Sequence, residues 1–200
     1  AQYCLGYFYE MHSEIENSLN ESFYWYLKAS KQGDSQAMLA VAYYYGHGLG
    51  TDKNEEKAFE FYQKALQFGE KEAYYHLGIC YLEGKGVKQD KGKAIALLVL
   101  VEDQYNSAAY LIGQYFKEMH DTHEAIRHFK IAIQKEDEEQ SLYQLALYGE
   151  QGIEISEDEM MDYLLRSAKK GYSPALVKYA YYLENGIYVD KDYQMAYEYY

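Results

Sequence analysis

A chain of 200 residues, 48% of them hydrophobic, is long enough to bury a large continuous core. Its formal net charge of −13 argues against nucleic acid and anionic membranes, because phosphate binding relies on clustered Lys and Arg. No run of about 18 uninterrupted apolar residues occurs, so nothing in the sequence reads as a membrane span.

Copies of one pattern begin at Ala1, Ala37, Ala73, Ala108, Ser141 and Ala175, at steps of 36, 36, 35, 33 and 34 residues. A period in this range marks a supersecondary unit that cannot bury its own apolar face and stacks on its neighbours. A single proline and almost no β-branched runs favour helices joined by short loops. The expected fold is all-α, a right-handed α-solenoid of about six stacked helix-turn-helix repeats spanning 1–200. Because the chain opens inside a first helix and stops at Tyr200 midway through a second one, it reads as a piece of a longer array.

Within each copy, apolar or small residues recur at steps 0, 4, 7 and 8 from its start, as in Ala73, Leu77, Cys80 and Tyr81, or Ala1, Leu5, Phe8 and Tyr9. At about 100° per residue this set forms one stripe of a helix. Step 5 is small in every copy (Gly6, Ala42, Gly78, Gly113, Ala146, Ala180), as close helix packing requires. The second helix is expected to begin at Ser18, Asn54, Asp90, Asp121, Ser156 and Asp192, all good N-caps. Glu21, Glu124 and Glu159 follow three residues after Ser18, Asp121 and Ser156 and predict capping boxes. Further on come paired bulky residues, among them Trp25 and Tyr26, Phe61 and Tyr62, and Leu97 and Leu98. The helix is expected to end near Gly33, Gly69 and Gly171, where glycine can turn left-handed.

This order of small residue, Leu-Gly, Tyr, G-x-G-V, capping Asp, Ala, paired aromatics, Ala and Gly resembles the Sel-1-like repeat family, a branch of the tetratricopeptide superfamily. The likeness is carried best by AVAYYYGHGLGTDKNEEKAFEFYQKALQFG, HLGICYLEGKGVKQDKGKAIALL and YAYYLENGIYVDKDYQMAYEYY. Copy four has lost the glycine loop and looks like an ordinary tetratricopeptide unit. Copy one carries HSEIENSLN in place of the loop glycines, and copy five shortens the loop. The resemblance implies an adaptor or scaffold for protein partners and no enzyme activity.

Signals for chemistry are weak beside it. GHGLG at Gly46–Gly50 lacks the preceding strand that a dinucleotide loop needs. His120, His123 and His128 with Asp121 and Glu124 could suggest a metal site, but the two acids have capping roles and the histidines straddle a helix start. No cofactor is implied. Lys85, Lys88, Lys91 and Lys93, interrupted by Asp90, read as a solvated face, and Glu136–Glu139 as a solvated linker that could attract a basic partner. Copy four, followed by that linker, is expected to be the weakest junction of the stack. Cys4 and Cys80 lie two repeats apart, about 20 Å at roughly 10 Å per helix layer, beyond disulfide reach. Unpaired thiols lean toward a reducing, cytoplasmic compartment, with periplasm or ER lumen still open.

The remaining signal lies opposite the core stripe. Steps 2 and 6 sit near 200° and 240° on the first helix, where polar residues are expected. They carry instead Tyr3, Tyr7, Tyr43, Tyr75, Tyr110, Tyr143 and Tyr181 among other apolar residues. In tetratricopeptide-like solenoids this face lines a concave groove, and tyrosine combines contact area with a polar handle. The competing reading is that first helices are sandwiched and both faces pack. The sequence points to a non-catalytic scaffold that binds a protein or peptide along these tyrosines. The alternatives are a dedicated inhibitor or immunity-type protein that blocks one enzyme or toxin, and the docking arm of a larger enzyme.

Overall fold

The computed structural model describes residues 1–136 and 138–200. Its contacts divide the chain into two units, Ala1–Val101 and Glu102–Tyr200, each of three helix pairs. The first holds α1 (Gln2–Met11), α2 (Ser18–Ser30), α3 (Ser35–His47), α4 (Glu55–Gln67), α5 (Ala73–Glu83) and α6 (Lys91–Leu98). The second holds α7 (Asn106–Glu118), α8 (Thr122–Ala132), α9 (Glu139–Glu150), α10 (Glu157–Lys169), α11 (Ser173–Asn185) and α12 (Tyr193–Tyr199). Within each unit every helix packs on the next in sequence, which gives an all-α helix-turn-helix repeat solenoid of the expected repeat number.

The small residue at step 5 explains how each pair closes. A β-carbon added at Gly6 would meet the Tyr26 ring at 2.6 Å, one at Gly78 the Leu98 side chain at 2.8 Å, and one at Gly113 the Phe129 ring at 2.7 Å. Tyr26, Leu98 and Phe129 come from the bulky positions of the second helices and are almost wholly buried. The second helix therefore drives a large side chain into a hole that the first helix leaves open, and burying each such side chain contributes about 1.5–3 kcal/mol. The loops lock one repeat to the one before it. Gly50 and Gly86 have positive φ, and a β-carbon there would lie 2.2 Å from the Leu19 carbonyl oxygen and 2.0 Å from that of Glu55. The glycine loop thus rests on the first turn of the preceding repeat's second helix, a contact only glycine permits.

Five of the six expected N-caps are formed. Asn54, Asp90, Asp121 and Asp192 accept from the amide three residues on, and Ser156 closes a full capping box with Glu159. Ser18 does not cap. The copy-one loop, without the loop glycines, makes turns that use the Ser18 amide (to Ile15 O, 3.1 Å), and Asn17, at φ 59°, leads into α2 instead. Glu124 completes no box because its carboxylate faces Arg127 at 2.9 Å. Gly33, Gly69 and Gly171 take positive φ after their helices, as expected.

Other expectations are corrected. Leu5 and Phe8 of the first stripe are exposed rather than packed in the core. Glu138 and Glu139 are not linker: Glu138 accepts from the Ser141 amide at 2.6 Å and caps α9, which Glu139 begins. Of that acidic run, Asp137 lies outside the described residues.

Candidate functional site

In the first unit, neighbouring first helices α3 and α5 bring Tyr43 and Tyr75 to one cavity of about 600 Å³. His47, Tyr62, His76, Ile79 and Cys80 share its wall, and Lys53, Glu55, Glu83 and Lys85 also line it. The Tyr43 ring lies 4.0 Å from that of His47, whose Nδ1 is 2.9 Å from the Tyr43 carbonyl oxygen. Tyr62 stacks on His76 at 4.7 Å. Burial lowers the His76 pKa despite Glu72 nearby, which favours the neutral ring. The lysines and glutamates pair with one another, Lys53 with Glu55 at 2.7 Å and Lys85 with Glu83. Burial pushes the Cys80 thiol up to about 11, so it is not an activated nucleophile at neutral pH.

In the second unit, α9 and α11 bring Tyr143 and Tyr181 to a second cleft of about 600 Å³ with Ser173, Pro174, Val177, Lys178 and Tyr200. Val177 and Tyr181 are exposed, at 55% and 50%. Lys178 is held by Glu150 at 2.7 Å. The two clefts share part of their lining: steps 2 and 6 of the later first helix enter both, as Tyr75 and Ile79 in one and Val177 and Tyr181 in the other, while the earlier helix gives step 6 (Tyr43) to the first and step 2 (Tyr143) to the second.

The remaining wall tyrosines divide between packing and solvent. Tyr3 leans on Tyr26 with ring centroids 5.4 Å apart, and burial raises its pKa. Tyr110 packs 6.0 Å from Phe129, its hydroxyl accepts from Gln114 at 2.9 Å, and burial raises its pKa too. Tyr7 is half exposed. The stripe is therefore packed in some repeats and open to solvent in others.

Sequence reasoning missed the glutamates at step 9. Tyr26 donates its hydroxyl to Glu10 at 2.5 Å, Tyr182 to Glu150 at 2.6 Å and Tyr200 to Glu184 at 3.0 Å. The signal of Glu at step 9 followed by Tyr at step 7 of the next copy would have found Glu150 with Tyr182, but not the bonds of Glu10 and Glu184, whose tyrosines Tyr26 and Tyr200 belong to the same copy as the glutamate. Of the histidines weighed as metal ligands, His128 is buried with Nδ1 2.6 Å from Glu102, whereas His123 is exposed beside Glu154 at 3.2 Å. Among the described residues no three His, Cys, Asp or Glu side chains are grouped to hold a metal ion, and no helix is long and apolar enough to cross a membrane. Cys4 and Cys80 are both free.

Stacked helix hairpins closed by a small residue, with side-chain clefts between successive first helices, define a helix-turn-helix repeat protein of the tetratricopeptide-like class. The Sel1 repeat family matches residues 1–34, 35–67, 71–99, 101–137 and 173–200, and the chain belongs to that family. Copy four is matched although its glycine loop is gone, whereas copy five lies outside the matched segments. No curated protein sequence matches the chain. Among solved structures, a protective antigen present in uropathogenic Escherichia coli strains is 26% identical with a TM-score of 0.90, over 99% of this chain and 44% of that one. The chain thus spans less than half of that antigen's length. A Sel1 repeat protein from Oxalobacter formigenes is 22% identical with a TM-score of 0.81, over 99% of this chain and 82% of that one. An immunity protein from Pseudomonas aeruginosa is 18% identical with a TM-score of 0.51, over 91% of this chain and 73% of that one. The last two likenesses are of fold.

Proposed function

We propose that this chain is a non-catalytic interaction scaffold that holds a partner protein or peptide against the tyrosines of its first helices. The observation that carries the reading is a cleft in each unit lined by apolar and aromatic side chains at steps 2 and 6 of its first helices, where a helix facing only water would carry polar side chains. Tyr43 and Tyr181 stand about half exposed there and hold large apolar surface in contact with solvent. The test is capture of a partner followed by titration of the purified partner against Tyr43→Ala, Tyr75→Ala and Tyr181→Ala. Loss of about thirtyfold in affinity at one or more of them is expected for a hot spot. Unchanged affinity in all three would move the contact to the loops or to the second helices. The same titration separates the inhibitor alternative: a dedicated blocker gives nanomolar affinity with one dominant position, a scaffold weaker and more distributed losses.

A further inference from the structure

The negative charge of the chain is unevenly placed. Residues 102–200 carry 19 Asp and Glu against 9 Lys and Arg, a formal charge of −10, while residues 1–101 carry 13 against 10. The cleft of α9 and α11 lies in the acidic unit. Its lining is mainly aromatic and aliphatic, with Val177, Tyr181 and Tyr200 exposed and Tyr143 partly buried, beside Ser173 and Pro174. At the end of the same helix stripe stand Glu150 and Glu184, at step 9 of α9 and α11. Lys178 is the cation in the cleft, and Glu150 already engages it at 2.7 Å.

We propose that this cleft takes an arginine-bearing basic segment of a partner protein. An arginine side chain suits both parts of the site. Its stem packs on Val177, its planar guanidinium stacks on a tyrosine face, and its charge is drawn to the Glu150 and Glu184 end of the stripe. The net charge of the unit adds long-range attraction for a basic chain and repels an acidic one. The first-unit cleft is expected to show less of this preference, because residues 1–101 carry a formal charge of only −3 (13 acids against 10 bases). The inference rests on the scaffold reading and names the chemistry of its partner.

The test uses a blocked hexapeptide of alternating arginine and leucine, with a second peptide in which glutamate replaces every arginine. Binding to the whole 200-residue chain is followed by NMR titration. The arginine peptide is expected to saturate with shifts at Val177 and Tyr181, and to weaken severalfold between about 50 and 300 mM salt as the charges are screened. Tyr181→Ala and Val177→Ser, both at exposed positions, should each weaken it about fivefold or more while the thermal midpoint stays put. Equal binding of the glutamate peptide overturns the proposal, as does the absence of saturable binding. So does arginine-peptide affinity unchanged in both variants, which would mean diffuse attraction to the acidic surface. If the peptide fails while a captured partner still depends on Tyr43, Tyr75 or Tyr181, the scaffold reading stands and only the basic specificity falls.

Discussion

Tyr182 on α11 donates its hydroxyl to Glu150 on α9 at 2.6 Å, a charge-assisted bond that ties the first helices of two successive repeats together. Lys178 approaches the same carboxylate at 2.7 Å, so Glu150 is held from two sides. Tyr26 and Glu10 make the corresponding bond in the first unit, within a single repeat, at 2.5 Å. The bonds to Glu150 place a polar latch between the first helices of two successive repeats.

Removing the donor should loosen that latch without opening a cavity. Tyr182→Phe is expected to lower unfolding free energy by about 1–2 kcal/mol, the range for a bond to a charged acceptor that keeps a second partner. Chemical denaturation measures it. The acid side carries a sign. Burial works to raise the Glu150 pKa, but the bonds from Lys178 and Tyr182 outweigh it and leave the value lowered. Its stabilisation is then present above the unfolded carboxylate value of about 4.3 and is lost as pH falls through the lower folded value. Glu150→Gln should therefore be less stable near pH 7 and lose less stability on acidification. Parallel acid curves for the two proteins would show that the latch does not form.

A second pH dependence lies on the alkaline side. Burial raises the pKa of Tyr26, Tyr62 and Tyr182, and pushes Tyr44 up to about 12. A phenol whose folded pKa exceeds its unfolded value of about 10 contributes stability that is whole below pH 10 and drains away as pH climbs toward the folded value. Unfolding free energy should hold from pH 8 to about 9.5 and fall steeply by pH 11. Tyr62→Phe should make that fall shallower. A flat profile to pH 11 would mean that these hydroxyls ionise as easily in the folded chain as in the unfolded one.

Small residues inside the helix pairs give a packing test with an internal control. Gly113→Ala would place a β-carbon 2.7 Å from the fully buried Phe129 ring. Overpacking costs about 1–3 kcal/mol and outweighs the gain of up to about 1 kcal/mol in helix propensity. Gly92→Ala on exposed α6 meets only the Asp90 carboxylate at 3.5 Å, so propensity alone should act and stabilise by a few tenths of a kcal/mol to about 1. Thermal melts of the two variants should move in opposite directions. Movement in the same direction would undo the packing argument for step 5.

What was legible in the sequence was whatever repeats locally. Asn54, Asp90, Asp121, Ser156 and Asp192 cap because their partners are three residues away, and the capping column exposed that regularity. Gly6, Gly78 and Gly113 were legible as close-packing positions because the column admits nothing larger than Ala. Ser18 failed where the loop sequence changed at constant length: HSEIENSLN, without the loop glycines, takes a different path, starts the helix one residue earlier and hands the entry to Asn17. Glu138 was misread because an acidic run looks the same whether it is solvated or capping, and only the direction of the Ser141 amide decides. The wall was half legible. Steps 2 and 6 picked out a tyrosine-bearing face, but whether a ring on it reaches solvent depends on the neighbouring second helix. Tyr110 meets Phe129 and Tyr3 meets Tyr26, whereas Tyr43 and Tyr181 remain about half exposed.

That division sets the last prediction, which separates packing tyrosines from binding ones by stability alone. Tyr110 touches the second-unit core, its hydroxyl is engaged by Gln114, and burial raises its pKa. Tyr110→Ala should therefore cost about 2–3 kcal/mol, somewhat less than full removal of a core aromatic at about 3–5 kcal/mol. Tyr181 is 50% exposed and Tyr43 is 43% exposed, so their alanine variants should lie within about 0.5–1 kcal/mol of the parent. Phe129→Ala, at a wholly buried ring, sets the upper end of the scale. Denaturation of all four variants orders them as Tyr181 and Tyr43, then Tyr110, then Phe129. If Tyr43→Ala or Tyr181→Ala falls as far as Tyr110→Ala, that ring is part of the fold. A binding defect in the same variant could then no longer be assigned to a lost contact with a partner. If the order holds, the two exposed rings can be changed freely, and any affinity they lose comes from the interface.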